Sequence, residues 1–246
     1  MHLTLTGKVS LVTGSSRGIG AATALKLAEL GSDVVLNFRS KAPRAEEVAK
    51  QIRALGRRTL TIQADLTLES DLTGMMASVQ QHFTRLDVLV LNASGGLERG
   101  RTEDYAMALN HIAQLRTAEL ASQLMPLGSR IVFVTSHWAH FYGTTPVVPG
   151  YEEVAKSKHA GEGALRAYAP ELSKRGISLL IVSGDVIEGT ITPRLLERQS
   201  PGLLDHRRRA VRALPTVDEF ADAIAQTAAD ATLPTGHTVF VGPSDC

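Results

Sequence analysis

The glycine-rich stretch near the start of the chain constrains its fold more than any other segment. It reads Thr13-Gly14-Ser15-Ser16-Arg17-Gly18-Ile19-Gly20, with spacing G-x-x-x-G-x-G rather than the commoner G-x-G-x-x-G. The apolar run Val9–Val12 before it is typical of a buried parallel strand. The segment Ala21–Leu30 after it predicts a helix, with Gly31 just past its end. A strand, a glycine turn and a helix form the phosphate-binding start of a βαβ unit, because glycines let a pyrophosphate approach the free N–H groups of the helix.

Composition and charge narrow the class of protein. The 246 residues are enough for one α/β domain over 1–246, and a formal net charge of +1 gives no support for a nucleic-acid or membrane surface. A single cysteine, Cys246, excludes an internal disulfide. The N-terminus lacks signal-peptide character, and no apolar run is long enough for a bilayer. We expect a cytoplasmic protein with no nucleic-acid or membrane partner and assign no metal ligands; homo-oligomerisation is left open.

Apolar runs and helical patterns alternate along the chain. The further predicted strands are Asp33–Phe38, Thr59–Asp65, Leu86–Asn92, Ser129–Thr135, Ile177–Val182 and His237–Val241. The further predicted helices are about Pro43–Leu55, Leu68–Phe83, Tyr105–Met125 and Glu153–Lys174, the last of them weakened by Gly161, Gly163 and Pro170. The alternation predicts an α/β fold, a Rossmann-type doubly wound parallel sheet of about seven strands with helices on both faces. Its ligands bind at the carboxyl ends of the strands.

Short motifs stand at these strand ends, and together they resemble one family. Besides the glycine stretch they are Asp65-Leu66, Asn92-Ala93-Ser94-Gly95, Asn110, Ser136, Ser157-Lys158, Ser183-Gly184 with Val186, Ile187 and Thr190, and Thr235-Gly236. Any one of these motifs is weak evidence for a family, but their order and their distances along the chain are together specific. The chain resembles the short-chain dehydrogenases/reductases over nearly its whole length.

The resemblance implies a role for each matching residue. Lys158 would bond the nicotinamide ribose hydroxyls, Val186 or Ile187 would hold the carboxamide, and Thr190 would hold the phosphates. Asn110 would belong, with Lys158, to the path that carries protons to the active site. Ser136 would hydrogen-bond the carbonyl oxygen of the substrate. The adenosine half and the phosphates would lie against Gly14, Ser16, Arg17, Gly18, Ile19, Gly20, Asp65, Leu66, Asn92, Ala93 and Ser94.

Charge favours one of the two nicotinamide cofactors. A site for NAD usually has an acid about 20 residues past the glycine loop, bonded to the ribose 2′-hydroxyl. Here the end of the second strand reads Asn37-Phe38-Arg39-Ser40-Lys41, without an acid. Arg17, Arg39 and a hydroxyl suit a 2′-phosphate, because arginine binds phosphate through paired, charged hydrogen bonds. The sequence therefore predicts NADPH, although a solvated turn would also account for Arg39 and Lys41.

One residue departs from the family pattern. Val154 stands four residues before Lys158, where the family has its general acid, a tyrosine, and valine cannot donate a proton. Tyr151 lies seven residues before Lys158, two helical turns away, and would lean from it. Tyr151, Ser136 and His137 stay open as donors. We expect instead that the substrate supplies its own donor, for example a phenol beside the ketone, and that Tyr151 is not the acid.

Two segments are candidates for the substrate side. One contains His137, Trp138, Phe141 and Tyr142, whose rings could stack on a flat ligand or form ordinary core, and Ser94, Gly95 and Tyr151 complete the candidate pocket. The other is a substrate lid over about 188–214. It contains Arg194, Arg198, Arg207, Arg208, Arg209 and Arg212, which suit either solvent or an anionic or phenolic substrate.

The missing tyrosine points to a narrower resemblance. The chain is similar to atypical reductases of aromatic polyketide tailoring, which act on angucyclinone-like ketones and lack the tyrosine. This implies an NADPH-dependent ketoreductase acting on a small, polycyclic aromatic ketone in antibiotic biosynthesis. A nucleotide-sensing module without chemistry is the alternative. The retained Asn110, Ser136 and Lys158 favour the enzyme.

Overall fold

The computed structural model describes residues 3–97, 104–199, 201–210 and 213–243. Arg212 and Cys246 lie outside these ranges. The strands are β1 Val9–Val12, β2 Asp33–Phe38, β3 Thr59–Gln63, β4 Val88–Leu91, β5 Arg130–Ser136, β6 Ser178–Gly184 and β7 Thr238–Val241. The helices are α1 Gly18–Glu29, α2 Ala42–Ala54, α3 Glu69–Phe83, α4 Tyr105–Met107, α5 Ala113–Ser122, α6 His137–His140, α7 Glu152–Lys174, α8 Ile191–Gln199, α9 Leu203–Ala210 and α10 Val217–Ala229, with a π-helical turn, Ala108–Ile112, between α4 and α5.

The strands form one parallel sheet in the order β3-β2-β1-β4-β5-β6-β7. The predicted seven-stranded, doubly wound sheet is therefore confirmed. The chain winds outward in one direction from β1 to β3 and in the other from β4 to β7, so the strand order reverses between β1 and β4. Ligands of such sheets bind at this reversal, outside the carboxyl ends of the strands. The glycine stretch follows β1 directly and lies at this point.

Helices cover both faces of the sheet and bury two separate apolar cores. On one face, side chains of α3, α5 and α7 pack on the sheet, with Leu72, Ala118 and Leu165 fully or almost fully buried. On the other face, α1, α2 and α10 pack on it through residues such as Leu27 and Ile52. Strands buried on both faces explain why the sequence shows continuous apolar runs rather than alternation.

Two predicted helices differ from the structure in an informative way. The predicted helix Tyr105–Met125 is interrupted by the π-helical turn that carries Asn110 and ends at Ser122. Helix α7 continues through Gly161, Gly163 and Pro170. A Cβ at Gly161 would lie 2.1 Å from the backbone oxygen of Asn110, so this glycine permits close packing of α7 against the π-helical turn.

Four helices were not predicted: α6, α8, α9 and α10. The start of α10 had a readable signal, because Thr216 and Glu219 form a capping box in which each side chain bonds the other residue's backbone N–H. Among the described residues, no helix combines the length and apolar character needed to span a membrane.

Candidate active site

Two adjoining cavities open at the carboxyl ends of the strands. The long cavity has a volume of about 610 Å³ and runs from the glycine stretch along the end of β2 to the start of α8. The second cavity, of about 130 Å³, lies beside β5, α7 and the loop after β6. Ile19, Asn92, Ser94, Thr190 and Thr192 line both cavities and mark the place where they join.

The glycine stretch forms one wall of the long cavity. Gly18 has a φ of 56°, in the left-handed region, and begins α1. Arg17 occupies the N-cap position without a side-chain capping bond, so it leaves first-turn N–H groups free for an anion. A Cβ at Gly20 would lie 2.5 Å from the backbone oxygen of Gly14. The loop is therefore folded tightly on itself at a helix N-terminus, as phosphate binding requires.

Asn37 and Asn92 hold this loop in place through their side-chain amides. Asn37 accepts a hydrogen bond from the backbone N–H of Gly14 at 3.2 Å and donates to the backbone oxygen of Ala64 at 3.2 Å. Asn92 donates to the backbone oxygen of Thr13 at 2.8 Å. Both residues line the long cavity, but their side chains hydrogen-bond to the protein's own backbone.

Cations surround the far end of the long cavity, beyond β2. Arg39 contacts the hydroxyl of Tyr105, and its guanidinium lies 5.7 Å from the centre of that ring. Arg17, Lys41 and Arg44 are exposed, and no hydrogen bond or ion pair engages their side chains within the described part of the chain. Ser40 is exposed beside them.

Only one carboxylate, that of Asp65, is among the described residues that line the long cavity. Its Oδ1 accepts bonds from the backbone and hydroxyl of Thr67, at 3.0 and 2.7 Å. Asp65 lies four residues before Glu69, where α3 begins. An anionic ligand therefore meets many more cations than carboxylates in this cavity.

The second cavity brings together a serine, a tyrosine, a tryptophan and a lysine. The hydroxyls of Ser136 and Tyr151 lie 3.2 Å apart, and the Tyr151 ring packs 5.4 Å from that of Trp138. Tyr151 is the N-cap residue of α7 and is buried. Burial raises the pKa of the Tyr151 phenol, and the hydrogen bond with Ser136 opposes that rise. The phenol therefore stays protonated at neutral pH and can offer a hydrogen bond.

Lys158 reaches the same cavity from the second turn of α7. Its Nζ donates to the backbone oxygen of Val134 at 2.9 Å and lies 6.0 Å from the centre of the Phe133 ring. Burial lowers the pKa of Lys158 to about 8, with Glu162 opposing the shift. The ammonium thus loses its proton within the range where enzymes are assayed.

Val154 fills its place as an apolar packing residue. It is 3 % exposed and packs in a cluster with Ala139, Ala155 and Leu196 of α8. A Cβ at Gly96 would lie 3.1 Å from one of its methyl groups. No proton donor stands at this position, and the neighbouring side chains close around the smaller residue.

Asn110 supports the second cavity from the π-helical turn. Its side-chain oxygen accepts from the backbone N–H of Gly95 at 3.1 Å, and its nitrogen donates to the Gly95 oxygen at 2.8 Å and to the Ser157 hydroxyl at 3.0 Å. It is 1 % exposed. The amide therefore joins the loop after β4 to α7, and π-helical turns of this kind are common at functional sites.

The structure separates the predicted substrate residues into two groups. Trp138, Tyr151 and Ser94 line the second cavity, whereas His137, Phe141, Tyr142 and Gly95 are not among its lining residues. His137 bonds the Ser183 hydroxyl at 2.8 Å, and burial lowers its pKa. Phe141 stacks on Phe240 with ring centres 5.6 Å apart. The hydroxyl of Tyr142 donates to Glu152 at 2.7 Å.

The rings of His137 and Phe141 contact Phe240 of β7. Tyr142 instead contacts Glu152 and His159 of α7. Of these four side chains, Trp138 lines the second cavity, and the other three pack against other side chains of the described residues. The assignment of all four to a substrate pocket stays a prediction.

The segment 188–214, which we call the lid segment, contains α8 and α9, and its first residues line both cavities. Leu196 of α8 is fully buried against Val154 and its neighbours. Arg207 of α9 forms an ion pair with Asp185, a buried residue directly after β6, with 2.9 Å between Nη2 and Oδ2. Arg208 pairs with Glu188 at 2.9 Å, so both arginines are engaged by the protein itself. Arg198 and Arg209 are exposed.

Several cavity residues escaped the sequence reading. In the long cavity they are Tyr105, Arg44, Leu109 and Thr192, and in the second they are Thr135, Asp185 and Phe220. Arg194, one of the arginines expected in the substrate lid, lines the long cavity. Val186, Ile187 and Thr190 lie in the second cavity, with Thr190 donating to the backbone oxygen of Ile187 at 2.9 Å.

Comparison with known proteins adds independent findings. A model of the family described as short chain dehydrogenase matches residues 8–199. The hydroxynaphthalene reductase arp2 of Aspergillus fumigatus is 35% identical over 207 residues, which cover 82% of this chain and 74% of that protein. Matches to hydroxynaphthalene reductase-like proteins of Metarhizium species span 66% of their length.

Two solved structures are also similar over almost the whole chain. A short chain dehydrogenase from Burkholderia cenocepacia, in complex with NADP, is 30% identical with a TM-score of 0.86, covering 98% of this chain and 99% of that one. The angucycline C-6 ketoreductase LanV with bound NADP is 28% identical with a TM-score of 0.80, covering 96% and 95%.

Proposed function

Because this chain belongs to the short-chain dehydrogenase family, we propose that it is an NADPH-dependent ketoreductase whose substrate is a polycyclic aromatic ketone of the angucyclinone type, in antibiotic biosynthesis. The single observation that carries the proposal is the long cavity, where a glycine loop at a helix N-terminus and a group of cations adjoin a second cavity with Ser136, Tyr151 and Lys158. The 1–246 chain acts as one domain, with residues 188–214 as its substrate lid.

The long cavity suits NADPH on the chemistry of its donors. The loop Gly14–Gly20 and the start of α1 would hold the pyrophosphate. Asn37 occupies the end of β2 where an acid would bind the 2′-hydroxyl of NAD, and Arg39 with Arg17 would instead bind the 2′-phosphate. Asp65 and Leu66 would adjoin the adenine, and Ala93 the ribose. The NADP bound in the structures of two relatives supports the same cofactor.

The second cavity would place the ketone where this chain's donors meet. When bound, NADPH supplies the hydride. Lys158 would hold the nicotinamide ribose, and Val186 or Ile187 the carboxamide, while Ser136 would orient the carbonyl. Reduction places negative charge on the ketone oxygen, which needs hydrogen-bond donors. The Ser136 and Tyr151 hydroxyls can provide neutral donors at this point.

We propose that the proton itself comes from the substrate, not from a tyrosine of this chain. Val154 is sealed in an apolar cluster, and the raised pKa of Tyr151 makes its phenol a weak general acid near neutral pH. A phenol beside the ketone would share the developing charge. Trp138, whose ring lines the cavity, suits a flat aromatic ligand, and the aromatic substrates named for two relatives support that class.

The test is an assay of NADPH consumption with a panel of ketones. The loss of absorbance of the reduced nicotinamide measures the consumption. We expect turnover with polycyclic aromatic ketones that carry a phenol next to the carbonyl. Methylation of that phenol should slow the reaction by about 100-fold, the lower end for a general acid. Simple aliphatic ketones serve as the control. Tight NADPH binding without turnover on any aryl ketone would favour the nucleotide-sensing module instead.

A further inference from the structure

One cation of the lid segment faces the long cavity rather than the substrate side. Arg194 lines the long cavity together with the glycine stretch, Thr190 and Thr192. It is exposed, and no hydrogen bond or ion pair engages its side chain within the residues the structure describes. Arg207 and Arg208 of the same segment are, by contrast, paired with Asp185 and Glu188. An unpaired guanidinium held in a cleft is available for an anion.

The position of Arg194 along the cavity indicates which phosphate group of a dinucleotide it can reach. Thr190 and Thr192 line both cavities, so the chain just before Arg194 lies at their junction. Ile19 of the glycine stretch lines the same junction. Arg39, by contrast, lines only the long cavity, at its β2 end. Because Arg194 follows Thr192 by only two residues, it lies near this junction and not at the β2 end with Arg39.

Two further features give this place its anion-binding character. Helix α8 has nine residues and begins at Ile191, which lines the cavity beside Thr190, so the positive end of its dipole adjoins the cavity. The start of α1 approaches from the other side. The opposite face of α8 is fixed, because Leu196 is fully buried, so Arg194 is presented from an anchored helix.

We infer that Arg194 binds the pyrophosphate of the dinucleotide from the lid side, opposite the glycine loop. The inference rests on the proposed function, since it needs a dinucleotide in the long cavity. It assigns Arg194 to the cofactor rather than to an anionic substrate. A guanidinium suits this role because it makes paired, charged hydrogen bonds to phosphate oxygens.

The test is equilibrium binding, measured by titration without a ketone. In Arg194→Ala the affinities for NADPH and NADH should fall by the same factor, about tenfold, because both carry the pyrophosphate. The affinity for adenosine 2′-monophosphate, which lacks the pyrophosphate, should stay unchanged. Arg198→Ala is the matched control, since Arg198 lies one turn further along the same helix, is exposed and does not line the cavity. It should leave all three affinities within about twofold.

Each outcome separates this inference from the proposed function. If Arg194→Ala binds NADPH as the wild type does, the inference is wrong while the proposed function stands. If Arg194→Ala weakens adenosine 2′-monophosphate as strongly as NADPH, Arg194 acts at the 2′-phosphate end and the inference is again wrong. A wild-type protein that binds none of the three nucleotides overturns both. Circular dichroism of the two variants guards against a loss of folding.

Discussion

The two cavities share an edge but are built in different ways. The long cavity is made of backbone and of cations such as Arg17, Lys41 and Arg194, whose side chains have no partner within the described ranges. In the second cavity several polar side chains already bond one another or the backbone, as Lys158 does with the backbone oxygen of Val134 and Ser136 with Tyr151. The first is prepared for a ligand of high charge. The second is a packed network in which one substitution changes the neighbouring arrangement.

The difference gives a physical reason for the sequence prediction that the long cavity keeps the family pattern while Val154 departs from it. A phosphate site made from glycines and helix N-termini tolerates few alternatives, because a side chain at Gly20 would meet backbone at 2.5 Å. A proton donor can be supplied from several places. Val154 packs in a buried cluster with Leu196 of the lid segment, so this position contributes packing and no proton donor.

The largest expected effect is that of replacing Lys158, which lines the second cavity and which we propose to hold the nicotinamide ribose. Lys158→Ala should reduce kcat/KM by about 100-fold and also weaken NADPH binding, because a charged donor to two ribose hydroxyls is lost. Steady-state kinetics and titration measure the two effects. Lys156→Ala, exposed on the same helix, is the control. An unchanged NADPH affinity would mean that Lys158 serves only the proton path and that the second cavity does not hold the ribose.

The next effect tests the charge of the long cavity. Arg39→Ala should weaken NADPH binding by roughly 10- to 100-fold and NADH binding little, since loss of a charge-assisted pair costs about 1.5–3 kcal/mol. Titration with both cofactors gives the ratio, and Arg53→Ala on the exposed side of α2 is the control. Equal weakening of both cofactors would remove the 2′-phosphate assignment.

These predictions also mark what the sequence alone can tell. The seven strands follow from apolar runs and glycine turns, because local patterning dictates them. The strand order, with its reversal between β1 and β4, is tertiary and comes from the structure. The start of α7 also follows, since Gly150 precedes Tyr151, which is the N-cap residue. The lid helices α8 and α9 were missed because short helices rich in arginine show no long apolar period.

Side-chain direction at strand ends is the other quantity that the sequence leaves open. His137 and Trp138 are neighbours, yet the first turns toward Ser183 and the second toward Tyr151. The hydrogen bond between Ser136 and Tyr151 joins residues 15 apart in the chain, and no spacing rule predicts it. Such contacts depend on how the loop after α6 returns to α7.

A smaller effect follows from the lowered pKa of Lys158. With a pKa of about 8 the ammonium is present below pH 8 and is lost as the pH rises above it. If the charged form binds the cofactor, the NADPH affinity should fall about tenfold between roughly pH 7 and 9, which is the change in the protonated fraction. In Lys158→Met this pH dependence should disappear. A wild-type profile that is flat over this range would show that the neutral amine suffices.

The smallest expected effect is that of Tyr151→Phe, and it decides what the second cavity contributes. Burial raises the pKa of this phenol, so it holds its proton where a general acid must give it up. Its hydroxyl bonds Ser136 at 3.2 Å, and its ring packs on Trp138, so phenylalanine keeps the packing and removes one neutral donor. We expect less than a tenfold loss of kcat, with NADPH affinity unchanged and Ser136→Ala of similar size. A loss of about 1,000-fold with NADPH binding intact, the scale of a general acid, would make Tyr151 the displaced acid and would mean that the second cavity keeps the chemistry of the family despite Val154.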